Sequence, residues 1–93
     1  MPVKILIPTP LRPYAEKQES VQLDARSVGD ALDLLTRRFA ELRKHLFADD
    51  GRLRSFVNVY VNDEDIRSLQ KDKTPLKAGD VVSIIPSIAG GAA

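Results

Sequence analysis

Cysteine is absent from this sequence of 93 residues, and histidine occurs once, at His45. Without thiols the chain has no disulfide, no thiolate metal site and no cysteine nucleophile. A general base needs a nucleophile and an orienting partner nearby, and no residue pattern around His45 supplies either. We therefore expect His45 to be a solvated side chain at the end of a helix, and the protein not to be an enzyme.

An excess of charge of either sign is also lacking. The 14 Lys/Arg and 13 Asp/Glu residues give a net charge of +1, and both signs are mixed along the chain. Such a balance argues against nucleic acid or an anionic membrane as a partner. No apolar run approaches the length of a membrane span, and the N-terminal residues lack the basic-then-apolar layout of a signal peptide. We therefore expect a cytoplasmic protein.

Patterns that hold phosphate or metal ions are missing as well. Gly79 precedes a predicted strand and Gly90-Gly91 precede no helix, so neither belongs to a phosphate-binding loop. The acidic run Asp63-Glu64-Asp65 lacks the spaced ligands and the glycine of a calcium loop, and we interpret it as a solvated turn. The expectation is a chain with no bound metal and no bound cofactor.

What the sequence does contain is the composition of a folded domain, with 43% hydrophobic and 29% charged residues. Its length suits one small core, which we place in residues 1–86, followed by a flexible tail of small residues at 87–93. Four segments bounded by turn residues are predicted as strands: residues 3–8, 20–24, 56–61 and 81–85. We further expect a proline-containing turn or extended loop over 8–18, a short edge strand near 66–69 and a tight turn at 77–80.

One amphipathic helix is predicted over residues 28–46. Ser27 is a suitable N-cap, with Asp30 three positions later in the first turn. Apolar residues then recur at three- and four-residue spacing and share one face: Val28, Leu32, Leu35, Phe39, Leu42 and Leu46. A helix on one face of a mixed sheet of four to five strands buries every apolar face. We therefore predict an α+β fold of the β-grasp, ubiquitin-like type with one main helix.

Three stretches of the sequence resemble a known family. They are Ile7-Pro8-Thr9 with Leu11-Arg12-Pro13, the run from Phe56 to Asp65, and Gly79-Asp80 followed by the last strand and Ala89-Gly90-Gly91. Because they occur in order over nearly the whole chain, the sequence resembles the MoaD/ThiS family of ubiquitin-like sulfur carriers. Within that family it is most similar to the CysO-type branch, which serves cysteine biosynthesis.

The resemblance implies that the working group is the carboxylate of Gly91. In the family, a ubiquitin-activating-type enzyme uses ATP to adenylate the terminal glycine, and sulfur then displaces AMP to give a thiocarboxylate. The thiocarboxylate donates its sulfur to a biosynthetic enzyme, which we expect here to be of the cysteine-synthase type. The preceding Ala89 and Gly90 have little or no side chain, so the tail can thread a narrow channel.

The sequence departs from the active form of the family, because Ala92-Ala93 follow Gly91. Gly91 then has no free carboxylate to adenylate. The resemblance implies a precursor that a JAMM-type metalloprotease cuts between Gly91 and Ala92.

A carrier also needs a docking surface for its enzymes. Alternation along the first and last strands points Leu6, Pro8 and Ile85 away from the side that the helix is expected to cover. Exposed aliphatic side chains beside a tail suit a partner surface. We predict that these three residues, together with Ile88 of the tail, contact the partner enzymes.

Three other functions stay open on the sequence. The first is a protein modifier whose processed Gly91 forms isopeptide bonds with lysines. The second is the small subunit of molybdopterin synthase, which the loop at 8–18 and the segment at 62–65 disfavour. The third is a β-grasp binding module for which the tail is irrelevant.

Overall fold

A mixed five-stranded sheet forms one layer of the structure, a computed structural model that describes residues 2–86. The strands are β1 (Pro2–Leu6), β2 (Ser20–Asp24), β3 (Val57–Val61), β4 (Glu64–Asp65) and β5 (Val81–Pro86). They lie in the order β2-β1-β5-β3-β4, with β1 and β5 parallel and every other neighbouring pair antiparallel. The predicted mixed sheet is confirmed.

Side chains alternate between the helical layer and the open face of this sheet. In β1, Val3 and Ile5 are buried whereas Leu6 is exposed, and in β5 Val82 and Ile84 are buried. Because successive side chains of a strand point to opposite faces, one side of the central strands is apolar and covered while the other is open. This confirms the assignment of faces that the sequence alternation predicts.

Two helices, rather than one, cover the apolar face. α1 spans Val28–Arg38 and α2 spans Ala40–Leu46, so the prediction of a single helix is wrong at Phe39. There the backbone leaves the helical region, with φ −123° and ψ 83°. Phe39 itself stays 5% exposed, and the break brings α2 into contact with the segment that follows β1. The break therefore falls at a buried aromatic residue of modest helix propensity.

The apolar face and the N-cap of the predicted helix are confirmed. The hydroxyl oxygen of Ser27 accepts the N–H of Asp30 at 3.1 Å, which satisfies one of the free donors of the first helical turn. All six predicted apolar positions are buried: Val28, Leu32, Leu35, Phe39, Leu42 and Leu46. The spacing therefore identified the buried face even though it missed the break.

The segment between β1 and β2 contains a 3-10 helix, Thr9–Ala15, where the sequence predicted only a turn or an extended loop. Proline suits the first turn of a helix, because its φ is already fixed there and its missing N–H needs no partner. Pro10 occupies that position. Leu11 and Ala15 are buried, so this segment belongs to the core.

The edge strand also differs from the prediction. β4 follows β3 after the two-residue turn Asn62-Asp63, whose φ angles are 49° and 73°, and it pairs with the end of β3. A left-handed pair of residues is the geometry that allows an antiparallel partner to follow at once. The predicted strand near 66–69 is instead a 3-10 helix, Ile66–Ser68, because Asp65 accepts the N–H of Arg67 at 2.8 Å and caps it.

The turn into β5 is the one predicted. The N–H of Asp80 donates to the C=O of Lys77 at 3.0 Å, and Gly79 has a φ of 86°, a conformation that favours glycine. Among residues 2–86, no helix has the length and apolar character needed to cross a membrane.

Candidate docking face and carrier terminus

Leu6 and Ile85 are exposed apolar side chains on neighbouring strands of the open face. Their exposed fractions are 39% and 49%. The parallel pairing of β1 and β5 sets Leu6 beside Ser83, and Ile85 lies two residues further along β5 on the same face as Ser83. The structure therefore brings these two predicted docking residues together on the uncovered side of the central strands.

Pro8 lies at the margin of this face. It is half-buried, in extended backbone with φ −68° and ψ 151°, and two residues beyond Leu6. Its C=O accepts the N–H of Leu11 at 2.9 Å, so it also begins the 3-10 helix. We define the docking face as Leu6, Pro8 and Ile85, and its role in binding partners stays a prediction.

β5 carries the chain towards the predicted carrier terminus. Pro86 is the last described residue and pairs with Val57 of β3. The residues to which the sequence assigns tail contacts, activation and processing lie outside the described residues: Ile88, Ala89, Gly90, Gly91 and Ala92. Because Ile85 directly precedes Pro86, the docking face adjoins the last described residue before the predicted tail.

A polar link joins the turn after β3 to the turn before β5. The side-chain amide of Asn62 donates to Oδ1 of Asp80 at 2.9 Å, and its Oδ1 accepts the N–H of Val81 at 3.0 Å. The other carboxylate oxygen of Asp80 accepts the N–H of Lys77 at 2.9 Å. Both turns were predicted from the sequence but the link was not, since no local pattern pairs residues 18 positions apart. The link holds the start of the strand that leads to the terminus.

Asp80 is buried in this link, and its hydrogen bonds favour the ionised carboxylate. The N–H of Lys77, and after it the amide of Asn62, lower the pKa of Asp80 below the ordinary value of 3.8, against the opposing effect of burial. Donors that point at a carboxylate stabilise its charged form. Asp80 therefore acts as a structural anchor and stays ionised at neutral pH.

His45 is not the solvated side chain that we predicted. It is half-buried, and its ring stacks on Tyr14 with the ring centroids 4.1 Å apart. Nε2 is buried and has no hydrogen-bond partner among the described residues. Tyr14 belongs to the 3-10 helix after β1, so the contact arises from the long-range packing of α2. The ring contributes packing between these elements.

Asp65 is paired with Arg67, whereas we predicted that it would belong to a solvated acidic turn. Its Oδ2 accepts a hydrogen bond from Nη2 of Arg67 at 2.7 Å, and the hydrogen bonds from Arg67 lower the pKa of Asp65. Asp63 and Glu64 are exposed, as predicted. Among residues 2–86, no three histidine, cysteine or acidic side chains come together in a way that would hold a metal ion.

The sheet order, the parallel central pair and the helices on one face define a ubiquitin-like β-grasp protein. Residues 5–91 match the sequence model of the ThiS family. The chain therefore belongs to the ThiS family of ubiquitin-like proteins. The matched region ends at Gly91.

Individual relatives agree with this assignment. The sulfur carrier protein CysO of Mycobacterium tuberculosis is 38% identical over 93 residues, which cover 98% of this chain and 100% of CysO. One chain of the crystal structure of the Amycolatopsis orientalis BexX/CysO complex superposes with a TM-score of 0.86 and 36% identity, covering 96% of this chain and 99% of that chain. Haloferax volcanii SAMP1 superposes with a TM-score of 0.84 and 29% identity, covering 98% and 100%. These similarities identify a small ubiquitin-like protein rather than a catalytic enzyme.

Proposed function

We propose that this protein is a sulfur carrier that works through a thiocarboxylate on Gly91 and supplies sulfur for cysteine biosynthesis. The observation that carries the proposal is the similarity to the sulfur carrier protein CysO over the full length of both chains. That similarity includes the segment after the sheet, and the family match extends to Gly91. The neighbouring docking face supports the same function, because a carrier must present its terminus to a bound enzyme.

The first proposed step releases the carboxylate of Gly91. In the sequence a peptide bond joins Gly91 to Ala92, and a peptide carbonyl has no free carboxylate oxygen that can be adenylated. Hydrolysis of this bond by a JAMM-type metalloprotease consumes one water, leaves the carboxylate on Gly91 and leaves the amine on Ala92. Processing therefore converts an inert carrier into a competent one.

The second step makes the carboxylate reactive. A carboxylate oxygen of Gly91 attacks the α-phosphorus of ATP, pyrophosphate leaves, and an acyl adenylate forms on the carrier. Hydrosulfide then attacks the acyl carbon and AMP leaves, so that Gly91 carries a thiocarboxylate. With hydrosulfide as the donor, neither step oxidises or reduces an atom. ATP is bound by the partner, an adenylating enzyme of the ubiquitin-activating type.

The length of chain after β5 limits how far the reactive carbon can extend. Five residues follow Pro86 up to Gly91, and an extended chain of that length spans at most about 17 Å. A partner must therefore place its active site within this distance of the end of β5. A partner bound at the docking face would lie close to the end of β5, because Ile85 is adjacent to Pro86. Gly90 and Gly91 lack a Cβ, which allows them to enter a narrow channel.

The sulfur of the thiocarboxylate is a nucleophile, and we propose that a cysteine-synthase-type enzyme accepts it. Similarity to CysO across the whole chain favours this acceptor over molybdopterin synthesis. The docking face would contact the adenylating enzyme and the acceptor in turn.

The deciding experiment is intact-mass spectrometry of two forms of the carrier with the cognate adenylating enzyme, ATP and sulfide. One form ends at Gly91, and the other keeps an uncleaved Gly91-Ala92 bond. We expect only the form that ends at Gly91 to gain the mass that corresponds to replacement of one oxygen by sulfur. A third form that ends at Gly90 is the matched control, because it has a free glycine carboxylate one residue too early.

The same experiment distinguishes the carrier from a protein modifier. A modifier would leave Gly-Gly remnants on lysines of other proteins in cells. Such remnants, together with a processed form that never gains sulfur, would contradict the proposed function.

A further inference from the structure

A cleft of about 760 Å³ lies between α1 and β3, on the helical side of the sheet and away from the docking face. Leu32 of α1, Val57 and Val59 of β3, and Ile66 form part of its apolar floor. The volume is within the range of ordinary ligand sites. The carrier chemistry proposed above makes no use of this cleft.

The cleft follows an edge of the sheet that has no neighbouring strand. β3 pairs along its whole length with β5, but β4 pairs only with Tyr60 and Val61. Within residues 2–86, no strand pairs with the outer edge of β3 at residues 57–59. Asn58 also lines the cleft although it points to the opposite face from Val57 and Val59. The cleft therefore reaches the backbone edge itself. The N–H of Val57 already donates to the C=O of Arg54 at 2.9 Å, so an added strand would pair with the other outward main-chain groups, chiefly those of Val59.

Positive side chains surround this edge. Arg43, Arg52, Arg54 and Lys71 all line the cleft, and none of them has an ion-pair partner within the described residues. Two of these guanidinium groups are held in place. That of Arg54 donates through Nε to the C=O of Lys44 at 2.8 Å, and that of Arg43 lies over the ring of Phe47, 5.6 Å from its centroid.

Most of the acidic side chains in the lining are already neutralised. Asp65 pairs with Arg67 at 2.7 Å and Asp33 pairs with Arg37 at 3.1 Å. Only Asp72 is left to offset the four cations. The cleft therefore combines an apolar floor, a positively charged rim and an unpaired strand edge.

We propose that this cleft binds an extended, acidic peptide segment of a partner protein, which adds to the edge of β3 as a further strand. Main-chain hydrogen bonds to Val59 and to the C=O of Val57 would give affinity, as in other cases of strand addition. Alternate side chains of the segment would enter the apolar floor while acidic ones meet the positively charged rim. The segment binds independently of the Gly91 terminus, so one carrier can hold a partner through the cleft while its docking face and tail engage an enzyme.

The test uses the full chain and a blocked heptapeptide that alternates glutamate and valine. In a titration followed by ¹⁵N NMR, we expect saturable shifts centred on the amides of residues 57–59, and intermolecular contacts from the peptide backbone to β3. Because the attraction is between charges near the surface, binding should weaken when the salt concentration rises from about 50 to about 300 mM. A peptide that alternates lysine and valine has the same β-propensity and should not bind.

Charge reversal in the rim gives the second measurement. Arg43→Glu combined with Arg52→Glu should weaken binding of the acidic peptide at least about tenfold, the effect of roughly 1.4 kcal/mol. Lys4→Glu combined with Lys17→Glu makes the same change in net charge outside the cleft and should leave binding within about twofold, since exposed charges beyond a Debye length are screened. Thermal unfolding of all variants checks that they remain folded.

Three results would overturn the proposal. One is no shift at residues 57–59 with millimolar acidic peptide, and another is equal binding of the lysine peptide. The third is tighter binding of a single-stranded oligonucleotide of matched charge, which would make the cleft a phosphate site. Loss of thiocarboxylate formation would overturn the proposed function without affecting this cleft, and the two proposals therefore fail separately.

Discussion

Asn62 and Asp80 are 18 positions apart, yet their side chains are joined by a hydrogen bond of 2.9 Å. Asn62 also accepts the N–H of Val81, so one side chain connects the β3–β4 turn to the first residue of β5. Its backbone has a φ of 49°, a conformation that asparagine tolerates better than most residues. Two separate requirements thus meet at Asn62: a left-handed turn and a pair of long-range hydrogen bonds.

Asn62→Ala should destabilise the fold by about 1–3 kcal/mol, because it leaves the buried Asp80 carboxylate without one of its donors. The matched control is Asn62→Gly, which removes the same side chain but accepts a positive φ. Chemical denaturation of the two variants separates the loss of the hydrogen bonds from the strain of alanine at a positive φ. If Asn62→Ala unfolds at the same denaturant concentration as the wild type, the link contributes nothing to stability.

The lowered pKa of Asp80 predicts a dependence of stability on acid. The folded pKa lies below the unfolded value, which is near 3.8. The stability that the ionised Asp80 side chain contributes is therefore fully present above the unfolded pKa. It is lost as the pH falls through the folded pKa. Asp80→Asn should be less stable than the wild type at pH 7 and should lose less stability between neutral pH and about pH 3.

Asp65→Asn is the control for that measurement. The pKa of Asp65 is also lowered by hydrogen bonds from Arg67, but the pair lies at the surface, where solvent screens it. The free energy of unfolding of this variant should follow the wild-type pH profile closely. A profile for Asp80→Asn that is parallel to that of the wild type would contradict the role assigned to Asp80.

Core packing predicts a large effect at the helical face. Leu35 is fully buried, and Leu35→Ala should cost about 2–5 kcal/mol through lost burial and the cavity left behind. Leu6→Ala removes a similar number of atoms from an exposed position and should change stability by about 0.5 kcal/mol or less. Equal losses in the two variants, measured by denaturant unfolding, would mean that the open face is covered in solution.

The parts of the fold that were predictable from the sequence are those set by local spacing. Ser27 capped the helix as expected, and the three- and four-residue spacing identified the buried face of α1 and α2. The break at Phe39 was not predictable in this way. It sets the direction of α2, which packs against the 3-10 helix Thr9–Ala15, a segment distant in sequence. The stacking of His45 on Tyr14 and the Asn62–Asp80 link are contacts of the same long-range kind.

The same distinction between local spacing and long-range packing applies to the candidate site. Strand alternation was sufficient to place Leu6 and Ile85 on the open face, since period two is a local property. The cleft beside β3 was not foreseen, because its cations come from α2, the turn that follows it and the segment after β4. Only the tertiary structure brings these residues to one edge.

The docking face predicts a loss of activation without a loss of folding. Leu6→Glu and Ile85→Glu should each weaken binding to the adenylating enzyme, because each places a charge in a surface that a partner must desolvate. Pro8→Glu should have a smaller effect, since Pro8 is half-buried at the margin. Ala40→Glu is a control on the exposed surface of α2 and should bind normally. Calorimetric titration measures the affinities, and unfolding of Leu6→Glu would instead show that the position belongs to the core.

The last prediction concerns the two glycines, on which the proposed chemistry depends. In a carrier that ends at residue 91, Gly91→Val should abolish adenylation, because a branched side chain on the carbon next to the carboxylate crowds the acyl carbon and removes backbone angles open only to glycine. Gly90→Ala should have a smaller effect, since it restricts the chain without crowding the reacting atom. The sequence predicts that the tail after residue 86 contributes little packing, so both variants should unfold at the wild-type temperature. ATP–pyrophosphate exchange with the cognate adenylating enzyme measures the first chemical step by itself, and intact mass measures the second. A Gly91→Val carrier that exchanges pyrophosphate and gains sulfur at the wild-type rate would show that Gly91 is not the reacting residue.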